Sequence, residues 1–408
     1  NPAGILDDLE KAIAGQTTLL PLPAADRTRT ELLRNHMRAG ESIAEDIALV
    51  VSTSGSTGTP KGAQLSPLNL VASADATHSF LGGPGQWLLA MPAHHIAGIQ
   101  VLVRSLVAGV EPLCLDLSQG FNITEFARAA EELAHTEDRM YTALTPMQLH
   151  KALDSLDGIQ ALRRFNSILV GGAAPHPQLL ESARKLDITV VTTYGSSETA
   201  GGCVYNGTPL PGTEVRIGED NRIFLGGPTI AQGYRNVESR DFVGGWFATS
   251  DAGELDAHGQ LTVTGRLDSI INSGGLKLHP EQLEQLLLQV LGVDSACVVG
   301  IPDPRLGQMI AVVEDDGPGA SAAGAGASGL LIAGVLVAVF LALSIGANDV
   351  ANALGPAFGA GAVSMRAGLV SVALAEIAGA MLAGGRVSET LSTGILPAAL
   401  MLRGPEPA

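Results

Sequence analysis

Residues 52–62 read Ser52-Thr53-Ser54-Gly55-Ser56-Thr57-Gly58-Thr59-Pro60-Lys61-Gly62, directly after the apolar run of residues 47–51. Hydroxyls and glycines that follow a strand present backbone N–H groups and side-chain donors to phosphate oxygens, while one lysine supplies countercharge. This is the chemistry of a phosphate cradle. It is not a Walker loop, because the spacing G-x-x-x-x-G-K-[ST] fails: Gly58 precedes Lys61 by three positions and Gly62 follows it. Four further blocks with chemical potential lie downstream: Thr193-Tyr194-Gly195-Ser196-Ser197-Glu198-Thr199, Thr249-Ser250-Asp251, Gly265-Arg266-Leu267-Asp268 and Ser273-Gly274-Gly275-Leu276-Lys277.

Together, and in this order, the five blocks resemble the adenylate-forming acyl-CoA and aryl-CoA ligases. T-S-G-S-T-G-T-P-K-G is similar to the family's phosphate signature, and Tyr194 to Thr199 to its Y-G-x-[ST]-E block. Residues 249–251 resemble T-G-D with serine replacing glycine, and the last two blocks resemble the hinge and its glycine turn. The resemblance covers residues 49 to about 316. It implies a multi-layer α/β ligase fold with a small α+β C-terminal domain, and ATP, Mg²⁺ and CoA as cofactor and co-substrates.

The roles it implies agree with what the side chains offer. Thr53, Ser54, Gly55, Ser56, Thr57, Gly58 and Lys61 face the β and γ phosphates of ATP. Tyr194 gives a flat face for adenine, with Thr193, Gly195, Ser197 and Thr199 beside it. Glu198 and Thr57 are the expected Mg²⁺ ligands, since Mg²⁺ favours carboxylates together with phosphates. Asp251 accepts two ribose hydroxyls, and Arg266 donates to ribose or phosphate. Gly171-Gly172-Ala173-Ala174-Pro175 follows a strand and precedes a helix. Gly172 and Ala173 are expected at the nucleotide and Gly171 at the acyl group, although an ordinary strand-to-helix turn uses the same residues.

Pro92-Ala93-His94-His95-Ile96-Ala97-Gly98 resembles the family's P-x-x-H-x-x-G segment, which puts His95 at the histidine that orients the carboxylate. His95, Glu198 and Lys61 are the expected catalytic set. Two adjacent histidines face different ways and have no third ligand nearby, so this pair is not a metal site. The stretch from Trp87 to Gly109 looks most like the o-succinylbenzoate:CoA ligases of menaquinone synthesis. Within it Arg104 suits the second carboxylate of such a diacid, or else a surface ion pair. Ser196 and Lys277 complete the expected acyl contacts.

The elements that position these blocks follow from periodicity. Short apolar runs at 47–51, 167–170 and 189–191 alternate with helical patterns at 122–134, 146–156 and 177–186, which implies crossovers and a largely parallel sheet. The expected domains are a nucleotide- and acyl-binding body over 1–267 and a truncated C-terminal ligase domain over 268–316. The family carries an adenylation lysine late in that domain, in a P-K-x-x-x-G-K-like segment. No lysine follows Lys277 in these 408 residues, so weakened adenylation is expected.

Composition breaks at the same place. Up to Asp316 there are 21 basic and 37 acidic residues, and beyond it only 3 basic and 4 acidic. An Ala/Gly stretch at 317–328 reads as a linker. Residues 329–347 carry no charge, and about 20 such residues span a hydrocarbon layer of about 30 Å. Residues 367–385 match that length but hold Glu376 near the middle, a carboxylate that lipid disfavours. Gly346-Ala347-Asn348-Asp349-Val350-Ala351-Asn352-Ala353 resembles the signature of the inorganic phosphate permeases, a family in which it occurs twice in inverted halves. One copy with two or three spans does not make a carrier. The expected chain is therefore a cytoplasmic ligase body with a membrane-inserting tail. The alternatives are an inactive nucleotide-binding relic, or a fusion whose tail belongs to a phosphate transporter.

Other classes are set aside by composition. A net charge of −17 repels a nucleic-acid backbone. Cys114, Cys203 and Cys297 have no short C-x-x-C spacing, so neither a disulfide framework nor a zinc ribbon is expected. No basic segment followed by an apolar core stands near the start, so no secretory leader is expected. The partners that the family resemblance implies are a small carboxylic acid, ATP and CoA.

Overall fold

The structure is a computed structural model that describes residues 2–53, 60–273, 276–288, 296–303 and 307–314. Ser54 to Thr59, both apolar stretches of the tail and the permease-like signature lie outside the described residues. The chain divides into two compact units, residues 1–286 with 297–313, and residues 287–296 with 314–408. Nearly all described residues belong to the first.

Helices α1 (Leu6–Ile13) and α2 (Arg27–His36) precede a hairpin of β1 (Leu49–Thr53) and β2 (Lys61–Leu65). These two strands pair antiparallel, from Leu49 opposite Leu65 to Thr53 opposite Lys61. The apolar run before the phosphate loop is thus no member of the parallel sheet that the strand-helix alternation suggests. The phosphate loop lies in sequence between these two antiparallel strands.

After α3 (Pro67–Leu81) come the seven strands of the main sheet: β3 (Gln86–Leu89), β4 (Leu113–Cys114), β5 (Met140–Leu144), β6 (Ser167–Val170), β7 (Val190–Ser196), β8 (Gly201–Tyr205) and β9 (Thr208–Pro209). Their order is β4-β3-β5-β6-β7-β8-β9. The pairs from β4 to β7 are parallel, and β8 and β9 add on antiparallel. Crossovers run through α4 (Ile96–Ala108), α5 (Ile123–Leu133), α6 (Pro146–Leu153), α7 (Leu156–Leu162) and α8 (Pro177–Lys185). Successive strand residues alternate between the two faces. Trp87, Leu89, Tyr141, Ala143 and Leu169 join one buried cluster, and Leu88, Met140, Leu144, Ile168 and Val170 join another. Both faces are covered, as a parallel sheet requires.

The helical pattern of residues 146–156 resolves into two helices. Ser155 caps α7 by accepting from the Gly158 amide at 3.1 Å, which fixes an extended residue where a continuous helix was expected.

A second sheet holds β10 (Glu214–Ile217), β11 (Arg222–Gly226), β12 (Phe242–Val243), β13 (Trp246–Leu255) and β14 (Leu261–Arg266). A third holds β15 (Ile271–Ser273), β16 (Leu276–Leu278), β17 (Ala296–Asp303) and β18 (Gly307–Glu314), with α9 (Pro280–Leu287). Among the described residues no helix is long and apolar enough to cross a membrane.

Candidate active site

Thr53 and Lys61 face each other at the base of the phosphate-loop hairpin. The returning strand is clamped there by residues far along the chain. Asn236 donates from Nδ2 to the Pro60 carbonyl at 2.9 Å and accepts the Gly62 amide on Oδ1 at 3.0 Å, and the Arg235 amide donates to the Gly62 carbonyl at 2.7 Å. Gly62 itself has no room for a side chain, since a Cβ would collide with Met37 Sδ and stand 2.7 Å from Val50 Cγ1.

Lys61 Nζ lies 4.7 Å from the centre of the Tyr234 ring and 3.8 Å from Asp241 Oδ2. The hydroxyl of the same Tyr234 donates to Glu198 Oε1 at 2.8 Å. One phenol therefore ties the phosphate-loop lysine to the predicted metal carboxylate. Burial and the neighbouring Glu198 charge push the Tyr234 phenol far up, so it stays a donor at any working pH.

Glu198 is only 8% exposed and sits in the single 3₁₀ turn Ser197–Thr199 between β7 and β8. Thr199 shapes this turn. Its hydroxyl accepts the Ser196 amide at 2.8 Å, donates to the Gly201 carbonyl at 2.7 Å, and is fully buried. The Thr199 hydroxyl is thus engaged in holding the turn that carries Glu198. Gly195 is required because a Cβ there would strike the Gly201 carbonyl oxygen. Ser196 and Ser197 are half-buried at the carboxyl end of β7, and the exposed Gly172 and Ala173 follow the end of β6 with Gly171. In open α/β sheets that edge is where ligands collect.

Tyr194 donates its hydroxyl to Asp251 Oδ2 at 2.8 Å, and Arg266 Nη1 lies 3.8 Å from Asp251 Oδ1. Asp251 and Arg266 face each other across β13 and β14. Arg266 also grips Asp268 with two bonds, at 2.8 and 2.6 Å. Burial raises the Asp251 carboxyl above its usual value, against the opposing pull of Tyr194 and Arg266. The Tyr194 hydroxyl thus orients the carboxylate expected to hold the ribose. Thr193 Oγ1 donates to the Val170 carbonyl at 3.3 Å, which links β7 to the end of β6.

His95 caps α4 by position but makes no cap hydrogen bond, and its ring lies 4.2 Å from that of His94. Burial holds both imidazoles below their usual value, with His95 lowering His94 and the Arg29 charge lowering His95. Both are neutral at pH 7. Among the described residues no group of three or more His, Cys, Asp or Glu side chains could cage a metal.

Arg104 departs from the surface ion pair that was one of its two readings. It is 3% exposed, stacks its guanidinium 5.0 Å over Trp87, and donates from Nη2 to the Tyr205 hydroxyl at 3.3 Å. Its Nε has no partner, and no described carboxylate lies within ion-pair distance. Lys277 stands on β16 opposite Asn272. Ser54, Gly55, Ser56, Thr57 and Gly58 lie outside the described residues.

Tyr234, Asn236 and Asp241 were missed by sequence reasoning. The available signal was weak: a polar-flanked aromatic in Gln232-Gly233-Tyr234-Arg235-Asn236.

A model of the AMP-binding enzyme family matches residues 7–235. The chain belongs to that family. A model of the phosphate transporter family matches residues 345–406. The probable 2-succinylbenzoate–CoA ligase of Mycobacterium tuberculosis is 46% identical over 324 residues, covering 74% of this chain and 84% of that protein. The 2-succinylbenzoate–CoA ligase of Escherichia coli K12 is 32% identical, and the chain spans 58% of its length. Among solved structures, o-succinylbenzoate CoA synthetase from Bacillus subtilis with the acyl-adenylate OSB-AMP superposes with a TM-score of 0.62 at 26% identity, over 79% of this chain and 72% of that one. The same enzyme with ATP and magnesium gives 0.61, over 79% and 74%. The fold is that of the α/β adenylate-forming ligases.

Proposed function

We propose that the body of this AMP-binding chain is an AMP-forming carboxylate:CoA ligase acting on an aromatic diacid, o-succinylbenzoate, in menaquinone synthesis. The observation that carries this is the convergence on Tyr234, which brings Lys61 and Glu198 to one ring. The residues fit Mg·ATP. Glu198 is a nearly buried carboxylate at a strand end and would hold Mg²⁺ alongside the triphosphate, since Mg²⁺ favours a carboxylate together with phosphates. When bound, Mg²⁺ offsets the charge of the triphosphate.

The chain's own residues then divide the work. Lys61 and the loop it closes hold the β and γ phosphates. Tyr194 stacks the base and holds Asp251 toward the ribose, with Arg266 beside it. Neutral His95 orients the acid by hydrogen bonding rather than by charge. The acid's oxygen attacks the α-phosphorus and pyrophosphate leaves; the CoA thiol then displaces AMP to give the thioester. Arg104, buried without an anionic partner, calls for the second carboxylate of a diacid, because an unpaired buried cation is strongly unfavourable.

Pyrophosphate release with o-succinylbenzoate, set against benzoate and a fatty acid, tests the reading. Preference for the diacid is expected. Calorimetry that registers no ATP association with or without magnesium overturns it; ATP association without pyrophosphate release from any of these acids favours the inactive nucleotide-binding relic, the second reading.

For the tail, the transporter match over residues 345–406 supports a partial permease-like segment with one signature copy, while the linker at 317–328 and the spans at 329–347 and 367–385 rest on composition alone. Flotation of the full chain with liposomes tests insertion. Saturable phosphate uptake into vesicles would contradict the view that this tail is no carrier by itself.

A further inference from the structure

Gln100 is fully buried, and neither its amide nitrogen nor its amide oxygen has a hydrogen-bond partner. Native proteins satisfy almost all such groups, so an amide left with neither bond marks a place where something else supplies them. Arg104 Nε, His78 Nε2 and Trp87 Nε1 are likewise buried and unpartnered. They share one neighbourhood: the Arg104 guanidinium lies 5.0 Å from the Trp87 ring, and the His78 ring lies 6.4 Å from it. A core built for packing alone would fill these positions with aliphatic side chains.

The arrangement has a direction. Ile96, Gln100 and Arg104 lie on one face of α4, four residues apart. Gln100 Cγ and Ile96 Cγ1 stand 3.2 and 3.8 Å from where a Cβ on Gly201 would be, at the start of β8. Arg104 reaches Tyr205 at the end of the same strand. Gly201 follows the Glu198 turn. Gln100 therefore lies between the reacting end of the site and the buried guanidinium, about 6 Å along the helix from Arg104.

We infer that Gln100 is a specificity-determining residue that reads the middle of the acid, its Nε2 donating to a carbonyl oxygen placed between the two carboxylates. The group it meets is neutral, since the anionic end belongs to Arg104. The substrate class is then an aromatic diacid with an internal ketone, and a diacid lacking that oxygen leaves the amide unpaired and binds less well. The inference rests on the ligase reading.

Equilibrium binding to the full chain with magnesium and α,β-methylene-ATP, an analogue whose bridge cannot be cleaved to release pyrophosphate, tests it without turnover. Two ligands are compared by calorimetry, o-succinylbenzoate and its analogue with CH₂ in place of the ketone. The wild type is expected to favour the ketone by on the order of 10-fold. Gln100→Met keeps length and bulk while removing donor and acceptor, and is expected to bring the ratio to within about twofold. Equal affinities in the wild type overturn the inference without any variant, as does a ratio that Gln100→Met leaves unchanged. Association of neither acid overturns the ligase reading as well, which separates the two failures.

Discussion

Tyr234 is the residue at which two distant stretches of sequence become one site, because its ring faces Lys61 while its hydroxyl holds Glu198. Tyr234→Phe keeps the ring and removes the hydrogen bond. The carboxylate then loses its orientation but not its charge, so KM for Mg·ATP should rise about 3- to 10-fold with KM for the acid unchanged. Glu198→Gln removes the charge itself and should lower kcat/KM by on the order of 10² to 10³. Steady-state kinetics varying each substrate separately checks both; a Tyr234→Phe effect on the acid alone would refute the assignment. A pH dependence belongs to His78, which is 6% exposed and held below its usual 6.5 first by burial and then by the Arg104 charge. Between that lowered value and 6.5 the unfolded chain binds more protons than the native one, so stability rises with pH through this window and is lost as pH falls. The urea midpoint should be higher at pH 7.5 than at pH 5.5. The difference should shrink in His78→Gln.

At the scale of elements, β1 and β2 flank the phosphate loop, and their fit depends on Gly62. Gly62→Ala puts a methyl against Met37 and Val50, so a loss of about 1 to 3 kcal/mol in urea unfolding is expected. ATP affinity should fall with it, since Asn236 grips the same peptide. Unchanged unfolding would show that the clamp is slack. This hairpin also marks where sequence legibility ends. α5 and α8 could be found because their apolar residues keep a helical period against one core, and β6 and β7 because their short apolar runs bury both faces. Residues 47–51 have the same apolar character, but their last three, Leu49 to Val51, pair with Ala63-Gln64-Leu65 of a strand whose pattern carries almost no signal. The site divides likewise. Glu198, Asp251, Arg266 and Lys61 sit in compact blocks whose residue types announce their chemistry. Tyr234 and Gln100 acquire theirs only from what the fold sets beside them, and Thr199, equally prominent in its block, is spent on holding a turn.

The whole molecule joins a match to the AMP-binding family over residues 7–235 with a match to a transporter family over 345–406, and the adenylation lysine implied by the first has no counterpart after Lys277. The nucleotide contacts proposed at Lys61, Tyr194, Glu198 and Asp251 all lie in the first compact unit and do not require that lysine. Binding and chemistry should therefore separate. The lysine would act on charge developing at the α-phosphate, and losing one such donor typically lowers rate on the order of 10² to 10³ without matching loss of ground-state affinity. Single-turnover formation of the acyl-adenylate should accordingly be slower by about that factor than in the Escherichia coli ligase, while the ATP dissociation constants agree within about tenfold. If the two rates coincide, another cation in this chain has taken over the role, and Arg266, beside Asp251 and bound to Asp268, is the first to replace with Gln.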